Sequence, residues 1–449
     1  MWKRFGVLAV VLVGSALPLG GQQGPPAQGP VQGAPAPAGQ AAPNAQATNL
    51  GADPNGNPLR RALKTGHVSN YDEAKVGSFT LPDPLVLANG TPVRDKETWV
   101  KQRRPEILRM YETEIYGRIP AKTPAVTWKV TETDEHARDG AAVMKKIAGA
   151  IGSSPEAPVI KLTLYTPAGA KKPVPVILLV NFGGGTPPPA AQGRGGAGFP
   201  SDPPVATEIV ARGWGYATVG YQDIQPDRIN TFMQGVIGAS LTAGQEQPGP
   251  DEWGTISAWS WGVSRMIDYL ETDKAVNAKQ IALFGHSRLG KTALWATAKD
   301  ERIAAAFSSC SGEMGAALAR RDWGETVDDM AQNFPWQFAG NFQKWVGRWN
   351  EMPVDAHMLI ALSAPRPVFI TGGTTDQWSD PKGEFLAEVA ASPVYQLLGA
   401  RGIGATELPP IDTTLATGDL GWHYHTGGHT LTVDEWKAFL VFMYRYFTN

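Results

Sequence analysis

Apolar residues recur in two alternating patterns along most of the chain. Short runs rich in β-branched residues predict buried strands, and segments with apolar residues three or four positions apart predict helices. The predicted strands are Val159–Tyr165, Val174–Asn181, Tyr216–Tyr221, Gln280–Phe284, Ile303–Ser308 and Pro367–Thr371. The predicted helices are Trp99–Tyr116, Val205–Arg212, Gly254–Glu271, Lys291–Lys299 and Thr432–Phe447. This alternation predicts an α/β fold with a mostly parallel central sheet and helices on both faces.

The amino-terminal segment does not follow these patterns. In residues 1–21, Lys3 and Arg4 precede an apolar run from Phe5 to Leu17, which is typical of a cleaved signal peptide. At about 13 residues the run is short against the roughly 20 that span a bilayer, so we expect a secreted or periplasmic protein. Residues 22–50 are almost all Gly, Pro, Ala and Gln, which predicts a disordered tether. Residues 51–449 would then form a single catalytic domain, in which the low-complexity stretch 185–204 is expected to be an exposed loop.

Composition narrows the possible partners. The 449 residues carry a formal net charge of −2, which gives no reason to expect a nucleic acid or an anionic membrane as partner. Cys310 is the single cysteine, so an intramolecular disulfide is impossible. Neither a phosphate-binding loop nor a dinucleotide fingerprint occurs, and we expect no cofactor. The oligomeric state is left open.

The strongest chemical signal is a serine between two glycines. Ser287 follows an apolar strand and precedes an Ala-rich helix, with Gly285 and Gly290 on either side. This context predicts a nucleophile elbow, because a strained turn needs glycines where a Cβ atom would clash. The alternative is a serine that merely caps an ordinary helix.

From this motif onwards the chain resembles the glucuronoyl esterases of carbohydrate esterase family 15, particularly the bacterial members. The arginine that directly follows the serine is the most specific of the shared features. The segments that carry the resemblance are Gly285–Lys291, Ser311–Ala316, Arg320–Glu325, Asn333–Trp336, Thr375–Trp378 and Gly427–His429. The resemblance implies an α/β-hydrolase fold and an acyl-enzyme mechanism. It also implies cleavage of esters between (4-O-methyl) glucuronic acid on xylan and an alcohol, notably a lignin alcohol.

The same resemblance assigns roles to residues around Ser287. Arg288 is placed in the oxyanion hole, while Lys291, Glu325 and Trp378 match positions that hold the sugar. Trp336 is a further candidate for the same pocket. A fixed cationic donor beside a forming oxyanion would favour the transition state over the neutral ester. The plainer alternatives are a surface salt bridge for Arg288 and ordinary core or solvated positions for the others.

A histidine must take the serine proton, and a carboxylate must orient that histidine. We predict His429, because it follows a Gly-Gly pair in the shared Gly-Gly-His segment, whereas His423 and His425 lie on a strand-like stretch. These three histidines could instead bind zinc, but the usual Glu-containing helix motif is absent.

The acid is predicted to be Asp376, with Glu313 as the fallback. Fungal members have a glutamate at the position of Cys310, and a thiol cannot replace a carboxylate there. Asp376 follows the strand Pro367–Thr371, which is the usual place for the acid in this fold. The alternative for Asp376 is a turn residue that caps the next segment. His286 stands where fungal members have cysteine.

Two other functions remain open at this level. An esterase acting on acetylated xylan or another acyl ester would need the same serine, histidine and acid. A carbohydrate-binding protein on a hydrolase scaffold would need none of them. The residues Arg288, Lys291, Glu325 and Trp378 favour an ester of a uronic acid, since an acetyl group requires no polar grip on a sugar.

Overall fold

The computed structural model describes residues 48–154, 156–183 and 202–447. Its strands are β1 Thr48–Ala52, β2 Pro58–Arg61, β3 Val126–Ala137, β4 Ala142–Ile151, β5 Val159–Pro167, β6 Val174–Asn181, β7 Gly215–Gly220, β8 Val276–His286, β9 Ala305–Ser309, β10 Val368–Gly373, β11 Thr413–Leu415 and β12 Leu420–His425. Its α-helices are α1 Glu73–Val76, α2 Lys96–Thr98, α3 Arg104–Glu114, α4 Ala206–Ala211, α5 Gly235–Ser240, α6 Thr255–Leu270, α7 Arg288–Lys299, α8 Val327–Asn333, α9 Ala356–Ala361, α10 Pro381–Leu397 and α11 Val433–Met443.

A mixed sheet organises the chain. Within the described residues, ten strands pair in the order β11-β12-β10-β9-β8-β6-β7-β5-β4-β3. The central strands β12, β10, β9, β8, β6 and β7 run parallel to one another, while β5, β4 and β3 extend one edge and β11 the other in antiparallel fashion. The amino-terminal strands β1 and β2 form a separate antiparallel pair. The predicted α/β fold with a mostly parallel sheet is therefore confirmed.

Strand β6 shows why the central strands are continuous apolar runs. Its side chains alternate between two cores, so Val176 and Leu178 join the larger core while Ile177 and Leu179 join the smaller one. Helices α6, α7 and α10 contribute to the larger core, and α4 and α11 contribute to the smaller one. Because both faces of the strand are covered, every position of the run is buried except the last.

Most predicted elements have counterparts, with small differences at their ends. The strand predicted over Val174–Asn181 has those bounds in the structure, whereas α7 begins at Arg288, three residues before the predicted start at Lys291. Strand β1 begins at Thr48, so residues 48–50, the end of the predicted tether, lie in a strand that pairs with β2. Residues 1–47, which include the predicted signal peptide, and residues 184–201 of the predicted loop lie outside the described residues. Among the helices of the described residues, none has the length and apolar content needed to cross a membrane.

Candidate active site

Ser287 lies in a sharp turn between β8 and α7. Its backbone has φ 58° and ψ −129°, in the left-handed half of conformational space that non-glycine residues rarely occupy. A Cβ atom on Gly285 would lie 1.9 Å from the backbone oxygen of Leu289, and one on Gly290 would lie 2.9 Å from the Ser308 hydroxyl. The two glycines are thus required by close approach, and the geometry is that of a nucleophile elbow rather than of an ordinary helix cap.

His429 and Asp376 meet at the carboxyl end of the same sheet. Asp376 follows β10, His429 follows β12, and these two strands are parallel neighbours. Nδ1 of His429 lies 2.7 Å from Oδ2 of Asp376 and 3.3 Å from the hydroxyl of Ser379. The ring of His429 also lies beside that of His286, the residue before the serine, with 4.8 Å between ring centroids. Serine, histidine and acid are thereby gathered at one edge of the sheet.

The other candidate acid is in a different electrostatic state. Burial, reinforced by the charges of Asp355 and Glu325, raises the pKa of Glu313 well above its ordinary value. A carboxyl group that remains protonated cannot act as the anion that orients an imidazole. The contact with His429 is made by Asp376, so the geometry favours Asp376 over Glu313.

The three neighbouring histidines do not converge on a common point. Nδ1 of His423 lies 2.8 Å from the hydroxyl of Thr414. Nδ1 of His425 lies 3.4 Å from Oε1 of the buried Glu435. Within the described residues, the one group of side chains close enough to share a metal consists of Cys310, Asp376 and His429. In that group the carboxylate and the imidazole already contact each other directly. The geometry does not favour the zinc site considered for His423, His425 and His429.

Arg288 is held by a buried acid that the sequence analysis did not single out. Its Nη1 donates to Oδ2 of Asp227, whose side chain is only 2% exposed, and its guanidinium lies 5.1 Å from the centre of the Phe334 ring. Burial opposes the charge of Arg288, but Asp227 holds its pKa above the ordinary value. Arg288 therefore does form an ion pair, as the alternative interpretation foresaw, but with a buried partner beside the nucleophile.

Lys291 lies one helical turn after Ser287 and is 4% exposed. Its Nζ donates to the backbone oxygen of Ser311 at 2.7 Å. Burial lowers the pKa of Lys291, and the negative charge of Glu325 acts against that shift. The charges of Lys291 and Glu325 therefore influence each other.

Glu325 and Trp378 are brought together by backbone contacts. The N–H of Glu325 donates to the backbone oxygen of Trp378 at 2.9 Å. Gly324 has φ 62°, and a Cβ atom there would lie 2.6 Å from that same oxygen. Arg60, from strand β2, covers the indole of Trp378 with its guanidinium 4.6 Å from the ring centre. The wall of the site therefore includes the amino-terminal hairpin.

Trp336 is connected to Arg288 through Asp227. Its Nε1 donates to Oδ1 of Asp227 at 2.7 Å, next to a second donor, Nε2 of Gln337, at the same distance. Asp227 follows β7, and a charged residue beyond the carboxyl end of a parallel strand is a known signal for ligand sites in this kind of fold. Nothing in the sequence indicated that Arg60 lies at the site, because its partner Trp378 is distant in sequence.

Comparisons with known proteins agree with this geometry. A family model described as fungal glucuronyl esterase matches residues 248–399. A solved glucuronoyl esterase from Solibacter usitatus is 41% identical, with a TM-score of 0.75, over 82% of this chain and 98% of that one. An esterase of carbohydrate esterase family 15 from a marine bacterial metagenome, described as promiscuous, is 37% identical, with a TM-score of 0.76, over 83% and 98%. A 4-O-methyl-glucuronoyl methylesterase of Phanerochaete carnosa is 30% identical over 71% of this chain and 72% of its own length.

This chain belongs to the glucuronoyl esterases of carbohydrate esterase family 15. The resemblance inferred from Ser287, Arg288 and their neighbours is thereby confirmed at the level of the family. Membership makes the protein a carboxylic-ester hydrolase with an α/β-hydrolase fold. The roles of the individual residues remain predictions that the geometry supports.

Proposed function

We propose that this protein hydrolyses esters of glucuronic acid or 4-O-methyl glucuronic acid through an acyl-enzyme on Ser287. His429 takes the proton of the Ser287 hydroxyl as its oxygen attacks the ester carbonyl, and Asp376 holds the imidazole in the required tautomer. The alcohol leaves with that proton. Water then attacks the acyl-enzyme with His429 again as base, which releases the uronic acid and regenerates the serine.

The oxyanion of each tetrahedral intermediate lies near the first turn of α7. Arg288 opens that helix, where the first backbone N–H groups have no acceptor within the helix. Its guanidinium adds a cationic donor close to the same point. A donor fixed in this way can contribute about 3 kcal/mol to transition-state stabilisation.

The observation that carries the choice of substrate is the pair of cations on the helix after the nucleophile. Arg288 and Lys291 lie within one turn of Ser287, and the buried Lys291 ammonium keeps a hydrogen bond to the backbone oxygen of Ser311. Glu325 and Trp378 supply a hydroxyl acceptor and an aromatic face on the adjoining wall. A polar sugar acid fits this set of groups better than a small acetyl group does.

The natural substrate is proposed to be glucuronoxylan or its ester links to lignin. The relative from Phanerochaete carnosa is named for methylesters of 4-O-methyl-glucuronate, which supports this class of substrate. Export is proposed from residues 1–21 alone, since polymeric substrates of this kind lie outside the cell.

The test is a comparison of esters. We expect kcat/KM for benzyl and methyl glucuronoates to exceed that for p-nitrophenyl acetate and for acetylated xylan. The promiscuous marine relative makes the acetyl esters a necessary comparison. A higher kcat/KM on acetylated xylan would reject the proposed substrate, and sugar binding without any turnover would favour the carbohydrate-binding alternative.

The Ser287→Ala variant is the matched control. We expect it to fold, since alanine tolerates the turn no worse than serine, and to lose turnover of every ester. Retained turnover would reject Ser287 as nucleophile.

A further inference from the structure

The buried carboxylate of Asp227 accepts hydrogen bonds from several side chains. Its Oδ2 accepts from Nη1 of Arg288, while its Oδ1 accepts from Nε1 of Trp336 and Nε2 of Gln337, both at 2.7 Å. The Asp227 side chain is 2% exposed, whereas that of Arg288 is 30% exposed. The two oxygens therefore have different partners: Oδ1 binds neutral donors, and Oδ2 binds the cation.

The proposed reaction changes the charge of the acyl group. The ester that enters is neutral at its carbonyl carbon, but the acid that leaves carries a carboxylate at that same carbon. An arginine can bind such a carboxylate through two parallel hydrogen bonds, which is among the strongest polar contacts in proteins. An unpaired Arg288 beside Ser287 would consequently retain the product more tightly than the substrate.

Acidic side chains act on both cations that follow the nucleophile. Arg288 is paired with Asp227, and the charge of Lys291 is opposed by that of Glu325. Negative charge therefore accompanies both cations, and the site attracts an anion less than its basic side chains alone suggest.

We propose that Asp227 lowers the affinity of Arg288 for the product carboxylate, so that the released uronic acid leaves the site. The same contact holds the guanidinium beside Ser287, which makes Asp227 a positioning residue for Arg288. This inference rests on the proposed function, because it assumes a uronic acid as the product.

The Asp227→Asn variant isolates the charge. Asparagine retains an oxygen for Trp336 and Gln337 and places an amide NH2 where Oδ2 faced Arg288. We expect the inhibition constant of glucuronate to fall about tenfold, equivalent to about 1.4 kcal/mol. The inhibition constant of glucuronamide, a neutral analogue of similar shape, should stay the same. Asp227→Asn combined with Arg288→Gln should lose the gain in glucuronate binding.

Two controls separate charge from structure. Trp336→Phe removes a neutral donor from the same carboxylate, so it should alter the inhibition by glucuronate and by glucuronamide alike. In the unaltered protein the two inhibitors should bind within about threefold of each other, because Arg288 is already paired. That measurement tests the proposal even if the Asp227→Asn variant does not fold.

The inference is overturned by either of two results. One is a glucuronate inhibition constant that is unchanged or raised in folded Asp227→Asn, and the other is a preference of the unaltered protein for glucuronate over glucuronamide of more than about tenfold. Failure of the proposed function is a distinct result, since it would appear as absent turnover of glucuronate esters by the unaltered protein.

Discussion

Nδ1 of His429 lies 2.7 Å from Oδ2 of Asp376, and this contact joins the loops that follow two adjacent parallel strands. The acid is buried, with a side chain 4% exposed, whereas the histidine side chain is 42% exposed. A buried carboxylate that accepts from Nδ1 leaves Nε2 as the nitrogen able to accept a proton. The contact therefore leaves Nε2 as the proton acceptor of a histidine that is partly exposed.

Asp376→Asn should reduce kcat by about ten-thousandfold while the protein remains folded. The amide can donate to Nδ1, which would stabilise the tautomer that cannot take a proton at Nε2. Steady-state kinetics with benzyl glucuronoate, together with a thermal unfolding curve, would measure this effect.

Glu313→Gln is the matched control for that experiment. Because burial raises the pKa of the Glu313 carboxyl and so favours its neutral form, a neutral amide of similar size should leave kcat close to its original value. A large loss of kcat in Glu313→Gln, with normal kcat in Asp376→Asn, would make Glu313 rather than Asp376 the acid that orients His429.

The predictions that succeeded from the sequence depend on local geometry. The turn at Ser287 is encoded by Gly285 and Gly290 within six residues, and the buried strand β6 is encoded by one uninterrupted apolar run. Lys291 is fixed relative to Ser287 by the pitch of a helix. In each case the neighbours in sequence are also the neighbours in space.

The features that the sequence did not reveal depend on distant contacts or weak patterns. Asp227 meets Arg288 across 61 residues, and Arg60 reaches Trp378 from a separate hairpin. Strand β3 is exposed at most positions, so hydrophobic alternation gives no bounds for it. Helix α10 contains Pro393, and an internal proline is a signal against a helix, yet burial of its apolar side chains keeps it helical.

Glu325→Gln should move the alkaline limb of the kcat/KM profile to lower pH. Burial lowers the pKa of Lys291, and the charge of Glu325 opposes this, so removal of that charge lowers the pKa further. A lysine is charged below its pKa, and the loss of the charged form would therefore begin at lower pH. Profiles between about pH 6 and pH 10 would detect the shift.

The control for the pH profile is Glu132→Gln. Glu132 lies on the edge strand β3 and pairs with Lys146 at the surface, so its removal should leave the profile in place. An alkaline limb that does not move in Glu325→Gln would show that Lys291 does not set it.

Arg60→Ala should raise KM for glucuronate esters about threefold and leave kcat nearly unchanged. The guanidinium lies 4.6 Å from the centre of the Trp378 ring, and a partly exposed contact of this type contributes about 0.5–1 kcal/mol. Loss of this support would let the indole move without disturbing Ser287. Arg265→Ala, which removes a similar contact with Trp261 on α6, should alter neither constant. A fall in kcat with KM unchanged would contradict a role limited to the sugar wall.

Gly285→Ala should destabilise the fold by about 3 kcal/mol or more, because the added Cβ atom would lie 1.9 Å from the backbone oxygen of Leu289. That oxygen belongs to the first turn of α7 and cannot move aside as a flexible side chain could. Gly169→Ala is the matched control, since a Cβ atom at Gly169 meets nothing within 4 Å, and its effect should stay within about 0.5 kcal/mol. Urea unfolding curves would give both free energies. Equal stability of the two variants would mean that the close approach of β8 and α7 at the elbow does not require glycine.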